Sequence, residues 1–297
     1  MACGEPTPAP AAAPAALPAA AAPALSVEEW RARHEESYRA QYVTIAGLHA
    51  LRNGTNTAGS APGNDVVIAA PVPAAIGRFM LEPERVRFDP APGVDARLRG
   101  ERVTTPIELR PDTAPEPDEL MFGDVSVVVH PSGTERMLRV RDPNGPLATG
   151  FLGFSWFPID DTYRVTGQFI ADAQPSTLTV PNTFGDRDEF QTQGVVEFTL
   201  AGQTMRLRPF TTRPNRFWFV FRDASSGVET YPAARFLYAD LQPDGQVVLD
   251  FNMAYNPPCA FNPYTTCPIP LRENRMPVKI LAGEKKYPVE VTLPYME

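Results

Sequence analysis

The chain has 297 residues, 43 % of them hydrophobic, enough for a buried core and too many for a disordered protein. Acidic residues outnumber basic ones, 35 to 27, giving a net charge of −8 that argues against unspecific nucleic-acid binding, which needs a basic surface to displace counterions. The 34 prolines favour loops, edges and linkers over long helices, and no apolar run is long enough to cross a bilayer.

Residues 1–25 are mostly Ala and Pro, which leaves little to pack or pair and reads as a tether. Cys3 heads it behind a small residue, so the expected role of Cys3 is lipidation. A bacterial cell-envelope lipoprotein follows, with the membrane reached only through that anchor. The alternative is a cytoplasmic protein with an N-terminal tail, since a signal peptide needs an apolar stretch ahead of its cleavage site. Ser26-Val27-Glu28-Glu29 then opens a helix, with Ser26 as N-cap and Glu29 completing a capping box. Trp30, His34 and Tyr38 fall four apart on one stripe, which predicts packing against a sheet and a structural role for His34.

From Tyr42 to Pro143 the pattern is short strands and turns. His130 ends the VSVVVH run before Pro131-Ser132-Gly133 and reads as a turn-side histidine. Asp142-Pro143-Asn144-Gly145-Pro146 is a concentrated turn signal and is taken as a domain boundary. The expected organisation is thus a tether (1–25), a helix with a β-sandwich (26–145) and a C-terminal antiparallel β domain, sandwich or barrel (146–297).

In the C-terminal part, Val195 to Leu200 and Thr204 to Pro209 alternate apolar and polar residues around Ala201-Gly202-Gln203, a hairpin. Arg216 to Arg222, RFWFVFR, suits a strand buried on both faces. Val278 to Leu281 and Val289 to Leu293 read as a final strand pair. Ser155 has no nucleophile-elbow glycine two places on, and no His occurs in this half, so a Ser-His-Asp mechanism within it is excluded by composition. No phosphate-cradling glycine loop or dinucleotide fingerprint is present, and no cofactor is expected.

Chemistry-bearing side chains concentrate between Thr230 and Pro270. Arg235 to Asp240 and Gln246 to Asn252 read as two strands of a hairpin across Leu241-Gln242-Pro243-Asp244-Gly245. If Phe236 and Tyr238 share the core face with Leu249 and Phe251, Arg235 comes to lie near Asp250 and Asn252 on the other face. A guanidinium has five donors that a carboxylate and an amide oxygen can take up together. An ion pair on a solvated sheet face is the plainer reading of the same residues.

The proline-rich run from Ala254 to Pro270 is expected to fold back over this hairpin, with Cys259 and Cys267 joined in a disulfide worth on the order of 2–3 kcal/mol, or else held as buried free thiols or, least of all, as a metal ligand or nucleophile. No metal site is expected, because His34, His49 and His130 are distant in sequence and the spacing fits no zinc pattern.

Three functions stay open. The first is a small polar or acidic ligand held by Arg235, Tyr238, Asp250, Asn252, Tyr255 and Asn256. The second is a purely structural or interaction role for the same cluster. The third is a carboxylate enzyme with Glu229 and Asp250 as acid and base.

RFLYAD, VVLDFNMAYNPPCAF, TCPIP, ENRMPV and AGEKKY, with GFSWFPIDDTYRV, FRDASSGVETY and, further back, GLHALRNGTNTAGSAPGNDVV upstream, resemble a bacterial and archaeal family known only as a domain of unknown function, family 1684, over most of the chain after about residue 30. The resemblance implies no activity and no catalytic residue. More thinly, NTAGSAPGNDVVI, IGRFML, RLRGERV and LMFGDVSVVV are similar in order to forkhead-associated (FHA) domains, which implies an FHA-like β-sandwich. Ser60 follows Gly59 where that family has Arg, and Pro73 to Arg78 lacks its Ser-Arg-x-x-His segment, so phosphothreonine binding is not carried over.

Overall fold

The computed structural model describes residues 25–83, 85–183, 185 and 187–291; Cys3 and nearly all of the Ala/Pro tether lie outside them. The protein is mainly β, with one substantial helix at its start. That helix, α1 (Val27–Tyr38), begins as its sequence requires. The Ser26 side chain accepts from the Glu29 N–H and the Glu29 carboxylate from the Ser26 N–H. A π-helical turn, Arg39–Val43, continues it.

Eleven strands follow among the described residues of the first half. They are β1 (Ile45–Ala50), β2 (Gly54–Gly59), β3 (Val66–Val67), β4 (Gly77–Glu82), β5 (Arg85–Pro90), β6 (Arg97–Leu98), β7 (Glu101–Arg102), β8 (Ile107–Leu109), β9 (Glu119–Phe122), β10 (Val125–Ser132) and β11 (Glu135–Arg141). They form a sheet in the order β1-β11-β10-β9-β6-β7 and a second in the order β3-β2-β4-β5-β8. Residues alternate sides along a strand. Val125, Val127 and Val129 therefore meet Phe79, Phe88 and Leu81 in one core, while Ser126, Val128 and His130 look outward.

The second half holds β12 (Arg164–Pro181), β13 (Arg187–Leu200), β14 (Gln203–Leu207), β15 (Phe210–Arg213), β16 (Arg216–Phe221), β17 (Arg235–Asp240) and β18 (Gln246–Asp250). One sheet runs β14-β13-β12-β18 and the other β15-β16-β17, all pairs antiparallel. Phe198, Leu207, Val247 and Leu249 pack with Phe217, Phe219, Phe221 and Leu237 in a second core. The hairpin across Ala201 and Gly202 is present, and the aromatic strand β16 is buried on both faces apart from partly exposed Arg216 and Trp218. β12 is paired by β18 only from Arg164 to Gln168, and a register shift between Ala171 and Ser176 interrupts its ladder with β13.

The expected pairing of Arg235–Asp240 with Gln246–Asn252 is not made. β17 pairs with β16 and β18 with β12, and the Leu241 to Gly245 turn is a corner between the sheets closed by a single Leu241–Val247 bridge. The reason lies in β17 itself. Leu237 and Ala239 fill the second core on one side while Phe236 packs into a third cluster on the other, so the strand needs cover on both faces. The expected final strand pair is also absent from residues 278–291. Backbone groups there are taken by loop partners, as in Ala224 N–H to Val278 O and Lys285 N–H to Ser155 O.

The third cluster seats α1 and the π turn on the second half. Trp30, His34 and Tyr38 of α1 stack in series, at 4.8 and 4.6 Å between ring centroids, and pack against Tyr255, Phe154 and Trp156. The helix therefore rests on the second half, although the sequence groups it with the first sandwich. Arg31 donates to the Phe157 and Asn252 carbonyls, and Tyr38 Oη to the Asn256 carbonyl. Asn262 of the proline-rich flap reaches back to the Tyr42 and Ile45 carbonyls.

Candidate functional site

Arg235 lies on the same face as Leu237 and Ala239, the core face, which reverses the expected orientation. It is 1 % exposed. Nη2 donates to Asp223 Oδ2 at 2.6 Å and to the Ile280 carbonyl at 3.0 Å, and Nη1 donates to the Ala282 carbonyl. Asp223 in turn accepts from the N–H groups of Ser225 and Ile280 and from the Ser225 hydroxyl. The pair is thus a knot that ties loop 280–282 to the end of β17. Close by, Gly283 has φ +78°, and a Cβ there would stand 2.3 Å from the Ala254 carbonyl oxygen, so only glycine fits.

The other expected ligand residues lie apart from Arg235, Asp250 with Asn252 and Tyr238 stacked on Tyr255, and all but Tyr238 are buried. Asp250 pairs with Arg164 at 3.0 Å and accepts from the Asn252 backbone and side-chain N–H groups. Asn252 closes a two-way bond with the Asp160 backbone. Tyr255 is buried beneath α1, and Tyr238, 37 % exposed, lies near Trp218 and Arg216. The Asn256 N–H donates to Glu284 and its side-chain amide to the Lys285 carbonyl.

Glu229 pairs with Lys279, whereas Asp250 pairs with Arg164, so the two carboxylates sit in different ion pairs. Cys259 and Cys267 are buried and carry free thiols in this structure; the Cys259 N–H donates to Cys267 Sγ at 3.4 Å and Tyr231 Oη approaches Cys259 Sγ at 3.6 Å.

A cleft does exist, and sequence reasoning did not single out its residues. It has a volume of about 420 Å³ and lies on the outward face of the β9-β10-β11 region of the first sandwich, walled by Tyr42 and Gln41 of the π turn. Arg139 and Arg141 enter it from β11, Glu119 from β9 and Asp112 from the loop after β8, over a floor made by Val128. Arg139 is 8 % exposed, yet among the described residues its side chain makes a single hydrogen bond, Nη1 to Asp112 Oδ2 at 2.6 Å, and its buried Nε has no partner.

His130, expected at a turn, is on β10, which runs on to Ser132, and holds Asp112 through Nδ1 at 3.0 and 3.1 Å. Burial pushes the Asp112 carboxyl up, but the His130 hydrogen bond and the charges of His130, Arg139 and Arg141 hold it below the usual carboxylate range. Burial likewise lowers the Arg139 guanidinium, against the opposing pull of Asp112. The readable signal was the MLRVR pattern, two arginines at i and i+2 on a strand whose other face is apolar.

Residues 149–285 match the family described as "Protein of unknown function (DUF1684)". The Arg235 knot falls inside that span and the cleft outside it. The solution NMR structure of an uncharacterised protein from Haloarcula marismortui is similar over 48 % of this chain and 82 % of its own, with 28 % identity and a TM-score of 0.39. No curated protein matches.

Two expectations follow. Arg235→Ala leaves the Asp223 charge buried without its partner, and should destabilise the protein by about 3–5 kcal/mol in urea unfolding; a change under about 1 kcal/mol would show that the knot is dispensable.

The second concerns pH. Burial depresses His34 to about 4 from 6.5, so its contribution is lost as pH falls from 6.5 towards 4. Burial raises Glu284 to about 8 from 4.5, so its contribution is present below 4.5 and lost as pH rises through 8. Between pH 4.5 and 6.5 the two slopes oppose each other and stability should be level. It should then fall by about 2 kcal/mol from pH 6.5 to 8. Glu284→Gln should flatten that alkaline limb in unfolding curves, and an unchanged limb would remove Glu284 as its source.

Proposed function

With residues 149–285 belonging to a family of unknown function, no activity passes to the chain from its relatives, and we propose that it is a binding module for a small polar or acidic molecule seated in the Arg139 cleft. One observation carries this reading. An arginine side chain nine-tenths buried is set beside a cleft of ligand size and spends one of its five donors on the described residues. Asp112 and His130 orient it, and Tyr42 and Gln41 shield the cleft from the side of the second half.

Arg235, the sequence's first candidate, suits the structural reading better, because both of its Nη atoms are committed, to Asp223 and to two carbonyls, and only its buried Nε is left without a partner. Placement in the cell envelope belongs to the proposal and rests on Cys3 and the Ala/Pro-rich tether. So does oxidation of Cys259 and Cys267: both thiols would pass their two electrons and two protons to a disulfide-bearing oxidant, leaving one S–S bond.

The ligand reading is tested by thermal shift against a panel of small carboxylates and amino acids. Wild type should be stabilised by some members. Val128→Phe, which fills the cleft from its floor, and Arg141→Ala should each lose that stabilisation while keeping their unliganded Tm within a few degrees. Equal stabilisation of all three proteins would place binding elsewhere. For the cysteines, alkylation and intact mass of protein from the native host should show two added groups only after reduction; labelling without reductant in denaturant would mean that the pair stays reduced.

A further inference from the structure

The strand register across the cleft floor specifies more than an anion site. Val128 of β10 stands opposite Arg139 of β11 on one side and opposite Glu119 of β9 on the other. A cation, a small apolar floor residue and an anion therefore form one row across three strands. Adjacent strands are about 4.8 Å apart, so the backbones carrying the two charges are separated by about 9.6 Å.

Glu119 is not absorbed by its neighbours. Its carboxylate is half-exposed, the Ser126 hydroxyl donates to Oε1, and Arg141 approaches that same oxygen only to 3.6 Å, beyond hydrogen-bond length. Asp112 differs, being engaged by both Arg139 and His130. The cleft therefore offers the Arg139 guanidinium at one end and the Glu119 carboxylate at the other, with Arg141 beside Glu119. Allowing about 3 Å for each hydrogen bond leaves a few ångströms between the two contacts.

We propose that the cleft takes a small zwitterion of the amino-acid type, its carboxylate on Arg139 and its ammonium on Glu119. This rests on the ligand reading above and narrows it. A plain carboxylate would meet Glu119 as a like charge, and a plain amine would meet two guanidinium groups, so both are selected against by repulsion. The apolar part of the ligand would lie on Val128 beneath Tyr42.

Calorimetric titration of the full chain with free α- and ω-amino acids, each matched to its des-amino carboxylate and to its decarboxylated amine, tests it. At least one amino acid should bind tenfold or more tightly than both of its matched analogues. Glu119→Gln should shrink the preference over the des-amino carboxylate to under threefold, with an unchanged Tm showing that the fold is intact. Carboxylates that bind as well as their amino acids would overturn the zwitterion assignment and leave the ligand reading standing. Failure of amino acids, carboxylates and amines alike would sink both. Glu119→Gln with undiminished discrimination would remove Glu119 as the ammonium partner.

Discussion

The buried pair of Arg235 and Asp223 is the constraint on which the second half depends. Two opposite charges out of water are tolerable only if nearly every remaining donor and acceptor is used. Here the loop carbonyls of Ile280 and Ala282 and the N–H groups of Ser225 and Ile280 supply those partners. The requirement explains why residues 278–286 do not form a strand. Their backbone groups are claimed one by one by side chains and loops, and a regular ladder would leave the charge pair short of partners.

From that knot the structure builds outward. The loop it secures carries Glu284, whose carboxyl accepts from the Asn256 N–H, and Asn256 in turn presents its carbonyl to Tyr38 of α1. The helix continues into the π turn that brings Gln41 and Tyr42 to the cleft. A chain of buried polar contacts thus leads from the core of the family segment to the wall of a recess on the other sandwich. Tyr42 thus reaches the cleft from the end of α1, and α1 bonds through Tyr38 to Asn256, which the loop secured by Arg235 holds.

What could be read from the sequence was local. The capping box at Ser26 and Glu29, the hairpin around Gly202 and the aromatic strand after Arg216 each depend on residues within a few positions, and each is present. The span of β17 was readable too, but not its neighbour, because pairing is a long-range choice and both of its faces are apolar. Arg235 stood out for good reason, yet the carboxylate that matches it is Asp223, twelve residues upstream, and not Asp250. His130 looked idle because Asp112 meets it from a loop 18 residues away. The arginines of β11 were hidden by their ordinary setting, since alternating charge on a strand is the usual mark of a solvated face.

The 18-residue strand β12 has a further consequence. Beyond Gln168 it has β13 on one side only, the kind of open ladder that recruits strands from neighbouring molecules. Its break between Ala171 and Ser176 contains Pro175, which has no N–H to offer, and Asp172 turns back to pair with Arg208. The irregularity thus falls where a stray chain would have to dock in register, so the longest strand of the protein is also guarded against self-association.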